Sequence, residues 1–241
     1  MTDKKALDIV IPVYNERKNV KPLMEEITES LSGTRDFTVI FVDDGSTDGT
    51  TKIVRELASN RDSVVSLHFK RNRGQSAAFA AGFEEASNPL VATIDGDRQN
   101  DPADIPVLLD EMESSEVDCV LGYREQRQDS LKKKVGSYIA NGFRNWVLGE
   151  AVKDTGCSLK LFTREVVESF TVFHGMHRFF PSLVQMNGFS HSQVATSHRP
   201  RSWGETKYSI AGRLRQVVFD LIGVAWLKER SIETHVDDKF E

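Results

Sequence analysis

Apolar residues in the first half of the chain come in two alternating patterns. Short β-branched runs are separated by stretches whose apolar positions recur every three or four residues. The short runs predict strands at Leu7–Val13, Phe37–Val42, Val64–Phe69, Leu90–Ile94 and Val117–Gly122. Pro12 is expected to end the first, since proline has no N–H to give a ladder. The helical spacing predicts helices over Glu16–Ser32, from the Thr47–Thr50 turn to about Ala58, over Gln75–Ala86, and from Pro102 to Met112. Strands alternating with helices over short loops imply right-handed βαβ units and a parallel sheet, whose site lies at the carboxyl ends of the strands.

After Arg124 the alternation stops. Ser130–Leu148 is predicted to be an amphipathic helix with Leu131, Val135, Tyr138, Ile139, Phe143, Trp146 and Val147 on its inner face. A short strand is expected at Cys157–Phe162, a helix at Arg164–Phe170, helical structure at His177–Met186 and an edge strand at Ser190–His198. A basic loop, Arg199–Tyr208, leads into a last helix, Ile210–Leu227, and a polar tail from Lys228 that is expected to fray. No repeat or linker divides the chain. The organisation expected is one domain over 1–209 with a C-terminal helix and tail over 210–241.

The polar clusters change this picture most, because each one follows a strand: Tyr14-Asn15-Glu16, Asp43-Asp44, Asp95-Gly96-Asp97 and Tyr123-Arg124. The topology would bring them to one edge. Two carboxylates one residue apart at a strand end suit a hard divalent cation that also holds phosphate oxygens, and Gln99 could add an amide oxygen. By itself Asp-x-Asp is expected about once by chance in so Asp-rich a chain. Its bland alternative is an Asx turn capping the helix at Pro102. Tyr14 and Glu16 could stack on and hydrogen-bond a nucleobase, or Asn15 and Glu16 could simply begin a helix. Asp43-Asp44 could bind a base N–H or ribose hydroxyls, or cap a turn.

Composition excludes several classes. The 241 residues are 39% apolar and 28% charged, an ordinary globular balance, and the formal net charge of −5 argues against general nucleic-acid binding. Local excesses run the other way: Gly122–Val135 holds five Lys/Arg against two acids, and Arg199, Arg201, Lys207, Arg213 and Arg215 follow later. These suggest phosphate groups or an anionic membrane surface, although some of Lys132–Lys134 would be a solvated helix face. The two cysteines do not suggest a disulfide framework. With no secretory signal and no apolar run long enough to span a bilayer, the cytosol is the expected compartment. His174 and His177 lack zinc-ligand company, and no Gly-x-Ser-x-Gly, P-loop or Gly-x-Gly-x-x-Gly motif is present.

Several stretches together resemble the family 2 glycosyltransferases of the GT-A fold, within them dolichyl-phosphate mannose synthases and bacterial undecaprenyl-phosphate glycosyltransferases. The stretches are Ile11-Pro12-Val13-Tyr14-Asn15-Glu16, Val42-Asp43-Asp44-Gly45-Ser46, Arg71-Asn72-Arg73-Gly74, Asp95-Gly96-Asp97-Arg98-Gln99, Gly122-Tyr123-Arg124 and Arg201-Ser202-Trp203-Gly204-Glu205-Thr206-Lys207-Tyr208. The resemblance implies an α/β GT-A (Rossmann-like) fold, with a mostly parallel sheet flanked by helices. It implies that Pro12, Tyr14, Glu16, Val42, Asp44 and Gly96 hold a UDP- or GDP-sugar donor, and that Asp95, Asp97 and Gln99 hold Mg²⁺ or Mn²⁺ and the diphosphate. Arg124, Lys133 and Ser137 would grip a polyprenyl phosphate acceptor, with Lys133 standing where an Arg is usual. Arg201 and Lys207 would close over the donor diphosphate, and Asp97, Arg124 and Arg201 would carry the catalytic charge neutralisation.

A polyprenyl phosphate is already ionised near pH 7, so an inverting transfer to it needs no general base. Two other readings compete. In one, a family 2 enzyme acts on a sugar hydroxyl, with Asp154 as candidate base; in the other, the chain is a catalytically silent nucleotide-sugar-binding subunit of a membrane complex. Relatives often carry two transmembrane helices after the Lys207-Tyr208 region. Ile210–Leu227 is instead suited to lie in the membrane interface, dock on a membrane partner or pack as a core helix. The expected location is the cytoplasmic membrane face. The expected partners are the donor, the lipid acceptor and a membrane protein or second copy.

Overall fold

The computed structural model describes residues 6–125, 141–200 and 210–230. In chain order the elements are β1 (Leu7–Val13), α1 (Val20–Leu31), β2 (Phe37–Asp43), α2 (Thr50–Asn60), β3 (Val64–His68), α3 (Gln75–Glu85), β4 (Leu90–Thr93), α4 (Ile105–Ser115) and β5 (Cys119–Arg124). Helical residues 141–148 form α5. Then come β6 (Lys160–Thr163), α6 (Arg164–Glu168), α7 (Phe180–Met186), β7 (His191–Thr196) and α8 (Ile210–Arg230). Short 3-10 turns, Pro102–Asp104 and Met176–Arg178, precede α4 and α7.

The seven strands form one sheet in the order β3-β2-β1-β4-β6-β5-β7. All run the same way except β6, which is antiparallel to both its neighbours, β4 and β5. Along β1 the alternation of a pleated strand sends Leu7, Ile9, Ile11 and Val13 into a core with α1, α2 and α4. Val10 faces the opposite core, with α3, α6 and α7. That second core is built on Phe79, Phe83, Phe162, Phe170 and Phe180, with ring centroids 5.2 to 6.4 Å apart. Burying each such ring contributes up to about 3 kcal/mol. Buried Asp8 accepts from Ser87 N (2.7 Å), Asn88 N (2.8 Å) and Asn88 Nδ2 (2.7 Å), which satisfies the turn entering β4.

Several expectations need correction. Pro12 lies inside β1, opposite Val42 of β2. The β1–β4 ladder has already ended at Val10–Thr93, so proline's missing N–H breaks no bond there. α1 begins at Val20, not Glu16, and its N-cap is Asn19. Asn15 instead has a positive φ of 56° and turns the chain ahead of the helix. The expected Cys157 start of β6 becomes a loop up to Leu159.

In α5 the inner face is rotated from the one expected. Phe143 and Trp146 are 53% and 79% exposed, while Arg144 and Leu148 are buried. Arg144 earns that place with Ser182 Oγ (2.7 Å), the Glu150 carboxylate (3.0 Å) and the ring of Phe179 at 5.5 Å. Leu131, Val135, Tyr138 and Ile139 lie outside the described residues. α8 continues through Arg230 rather than fraying at Lys228. Its Leu221 and Val224 pack on Leu148 and Phe179, and Phe219, Ile222 and Trp226 face outward, more than 60% exposed. Among the described residues no helix is long and apolar enough to cross a membrane.

Candidate active site

Four strand ends meet where the alternating pattern placed them. At the end of β4, Thr93 Oγ1 donates to Ser158 O (2.7 Å). Asp95 N then donates to Ser158 Oγ (3.1 Å), and Ser158 Oγ donates to Asn100 Oδ1 (2.8 Å). Gln75, the first residue of α3, donates Nε2 to Asp95 Oδ1 (2.7 Å). The loop before β6 therefore forms the floor on which the carboxylate turn rests. Gly96 lets that turn cross the end of β1: a Cβ there would come within 2.7 Å of Val13 Cγ1 and 3.1 Å of Pro12 O.

Asp97 is 8% exposed, and its Oδ1 accepts the Gln99 amide (3.1 Å). Between them Arg98 adopts φ 61° and reaches Glu26. Gln99 O accepts from Arg199 N (2.8 Å). Capping of the helical segment at Pro102 falls to Asp101, whose Oδ1 takes Ala103 N (3.0 Å). Asp95 and Asp97 are thus not spent on that cap.

The carboxyl of Asp95 is pushed up to about 6, first by desolvation and then by the Asp97 carboxylate, against the pull of Ser158, Lys160 and Arg124. Two carboxylates that repel each other in a desolvated cleft form an all-oxygen donor set, and Gln99 lies in the same turn. That set fits a hard divalent cation, which would relieve the repulsion. Among the described residues no group of three His, Cys, Asp or Glu gathers to hold an ion. Protein ligation would therefore rest on the pair and the amide.

Pro12 and Val42 stand side by side at the ends of β1 and β2. Tyr14, Asn15 and Glu16 follow on a loop pinned to the β2–α2 turn. Asn15 N donates to Ser46 Oγ (2.8 Å), Thr47 N to Asn15 Oδ1 (2.8 Å) and Glu16 N to Thr50 Oγ1 (2.9 Å). The two carboxylates after β2 divide their labour. Asp43 is internal, taking Ser46 N (3.0 Å) and the Thr51 hydroxyl. Asp44 receives Arg73 N (2.6 Å) and Gly74 N (2.9 Å), so it holds the Arg71–Gly74 loop against the site. Burial raises its carboxyl in spite of those two amides. Gly45 is required here, with φ +74° and a Cβ position only 2.6 Å from the Arg71 carbonyl carbon.

At the end of β5 Arg124 makes a two-pronged ion pair with Asp154, Nε to Oδ2 at 2.6 Å and Nη2 to Oδ1 at 3.0 Å. Asp154 Oδ1 also accepts Gly156 N (3.0 Å). The residue expected to grip a phosphate and the residue offered as a base are thus partners. Lys133, Ser137, Arg201 and Lys207 lie outside the described residues.

Beneath Asp95 opens a cavity of about 180 Å³ lined by Gln75, Asp95, Ser158, Lys160, His177 and Arg178, among others. Of these, Gln75, Ser158, Lys160 and Arg178 went unassigned in the sequence, as did Asn100 nearby. Lys160 had left a signal: it is a lone charge inside the apolar run Leu159-Lys160-Leu161-Phe162. His177 Nδ1 lies 2.7 Å from Ser76 Oγ, a bond between α3 and the 3-10 turn before α7 rather than a metal contact.

Comparison with known proteins bears on the family and the fold. The chain is 36% identical over 223 residues to the dodecaprenyl-phosphate galacturonate synthase of Rhizobium johnstonii, covering 90% of this chain and 66% of that protein. It is 35% identical over 220 residues to an undecaprenyl-phosphate 4-deoxy-4-formamido-L-arabinose transferase of Yersinia pestis, covering 90% and 67%. The chain thus spans about two thirds of the length of these relatives. In fold it matches the GT-A enzyme glucosyl-3-phosphoglycerate synthase of Mycobacterium tuberculosis, solved with Mn²⁺, UDP-glucose and phosphoglyceric acid. The TM-score is 0.71 at 20% identity, covering 92% of this chain and 80% of that one. The family model for glycosyl transferase family 2 matches residues 8–171, and the chain belongs to that family.

Proposed function

We propose that the protein moves a hexose from a UDP- or GDP-sugar to a polyprenyl phosphate, inverting the anomeric centre. Both relatives above are named for products or acceptors of this kind, a dodecaprenyl or undecaprenyl phosphate. The observation that carries the choice of acceptor is the Arg124–Asp154 pair. Asp154 is the candidate base for a hydroxyl acceptor, and both its oxygens are engaged by Arg124. A lipid phosphate, already anionic near pH 7, asks for no base and is attracted to a cationic partner such as Arg124.

In this reading Pro12, Tyr14, Glu16, Val42 and Asp44 line the place of the base and ribose, and Gly96 lets the carboxylate turn lie against the end of β1, beside that place. Asp95, Asp97 and Gln99 would hold Mg²⁺ or Mn²⁺, which supplies charge neutralisation for the leaving diphosphate. Arg201 and Lys207 would add cations to the same group. Arg124, Lys133 and Ser137 would orient the acceptor phosphate for in-line attack, so that rate comes from placement and electrostatics. The lipid acceptor sets the reaction at a membrane surface, proposed to be the cytoplasmic face, and the outward aromatic residues of α5 and α8 suit such an interface.

The test is an acceptor panel: polyprenyl phosphate, polyprenol and a glycan hydroxyl acceptor, each with UDP- and GDP-hexoses and Mn²⁺. Product is expected with the phosphate alone. Turnover of a hydroxyl acceptor would overturn the reading, and failure to turn over any donor, hydrolysis included, would favour a silent binding subunit.

A further inference from the structure

The geometry points to Lys160 as a positioning residue: its ammonium is a fixed counter-charge beside Asp95 that tunes the Asp95/Asp97 pair to carry a cation and a diphosphate together. This rests on the metal reading of that pair. Lys160 is 2% exposed, the most deeply buried cation among the described residues. It opens β6, opposite Thr93 of β4 and Leu121 of β5, so it lies between the strand that ends in the carboxylate turn and the strand that ends in Arg124. Its Nζ donates to Cys157 O, inside the loop whose Ser158 supports Asp95. It lines the same cavity as Asp95.

A buried ammonium is costly unless carboxylates oppose it. Desolvation pushes the Lys160 ammonium toward neutrality, and Asp154 and Asp95 are among the groups that resist this. Arg124 is paired with Asp154, and Arg178, at the same cavity, with Asp220 (3.6 Å), which among the described residues leaves the Asp95 and Asp97 carboxylates facing the ammonium of Lys160. With a divalent ion the group becomes net positive and attracts a nucleoside diphosphate. Without Lys160 the loaded group is neutral: it holds the bare ion more tightly and the diphosphate less tightly. A residue that only filled space would not move these two affinities in opposite directions.

Calorimetric titration of wild type, Lys160→Met and Lys160→Arg with Mn²⁺ alone, and then with UDP or GDP at saturating Mn²⁺, tests this. Lys160→Met is expected to bind Mn²⁺ about tenfold more tightly and the diphosphate about tenfold more weakly, with Lys160→Arg near wild type in both. Hydrophobic replacement of a buried charge is often tolerated. If the Met variant does not fold, Lys160→Gln makes the same comparison. Unchanged or weaker Mn²⁺ binding in the neutral variant, or equal shifts in the Arg and Met variants, overturns the inference while leaving the metal site standing. Absence of Mn²⁺ binding by the wild type defeats the metal reading and this inference with it.

Discussion

Asp97→Ala should leave the fold intact, because the Gln99 amide that Asp97 Oδ1 accepts lies two residues on, within the turn itself, and belongs to neither core. Transfer should fall by a factor of about 10² to 10³ or more, the usual loss when charge stabilisation is removed at a reacting centre. Circular dichroism and lipid-product formation at saturating Mn²⁺ check both halves, and near-wild-type transfer would defeat the metal assignment. A second residue tests stability. Partial burial works to raise the Asp48 carboxyl, but bonds from Thr50 and Arg17 outweigh it and hold it below its ordinary value. A depressed folded value means a contribution present above the unfolded pKa of about 3.9 and lost as pH falls through the folded one. Asp48→Asn should therefore be less stable than wild type by up to about 1 kcal/mol at pH 5 to 7. The deficit should shrink below about pH 4 in urea titrations. Position at a strand end could be read from the chain, which is why Asp44, Asp95, Asp97 and Arg124 stood out. Their partners could not, because Asp44 meets Arg73 and Arg124 meets Asp154 across 29 and 30 residues. A lysine in an apolar run reads as an edge position until a sheet closes over both its sides.

Periodicity located the helices well and their faces less well. α5 was expected to bury Phe143 and Trp146, and it buries Arg144 instead, where Ser182 and Glu150 meet its Nη2 and the ring of Phe179 lies against the guanidinium. Such a rotation cannot be inferred from hydrophobicity, which scores arginine as outward. The displaced rings, 6.1 Å apart, are left exposed on α5. α8 has apolar residues on two faces, Leu221 and Val224 inward and Phe219, Ile222 and Trp226 outward. If the outward face meets lipid, co-sedimentation with anionic vesicles should be strong for the wild type. It should drop at least about tenfold for the Phe219→Ser/Trp226→Ser double variant, the loss expected from two apolar side chains. An unchanged far-UV spectrum would confirm that the variant is folded. Equal binding by both proteins would exclude this face.

At the scale of the molecule, alternation correctly indicated a mostly parallel sheet, and the fold neighbours agree. It did not indicate that β6 runs against the others. Antiparallel insertion follows from pairings between residues 39 to 73 positions apart, from Leu121–Lys160 to Leu90–Thr163, which no local pattern encodes. That insertion sets the width of the site. One strand separates β4 from β5, so Asp95 and Arg124 start about two strand spacings, roughly 10 Å, apart. This leaves room for two phosphorylated groups side by side.

The same insertion constrains how the molecule is made. A growing chain that has reached Arg124 already contains β4 and β5, which face each other across a missing strand. Each offers an unpaired edge to any extended segment nearby, and the two can pair wrongly with one another. The strand that resolves this also brings Lys160 and, through the loop before it, Ser158. Closing the sheet and assembling the floor of the candidate site are therefore one folding event, so the polypeptide should not gain ligand affinity before it has passed that point.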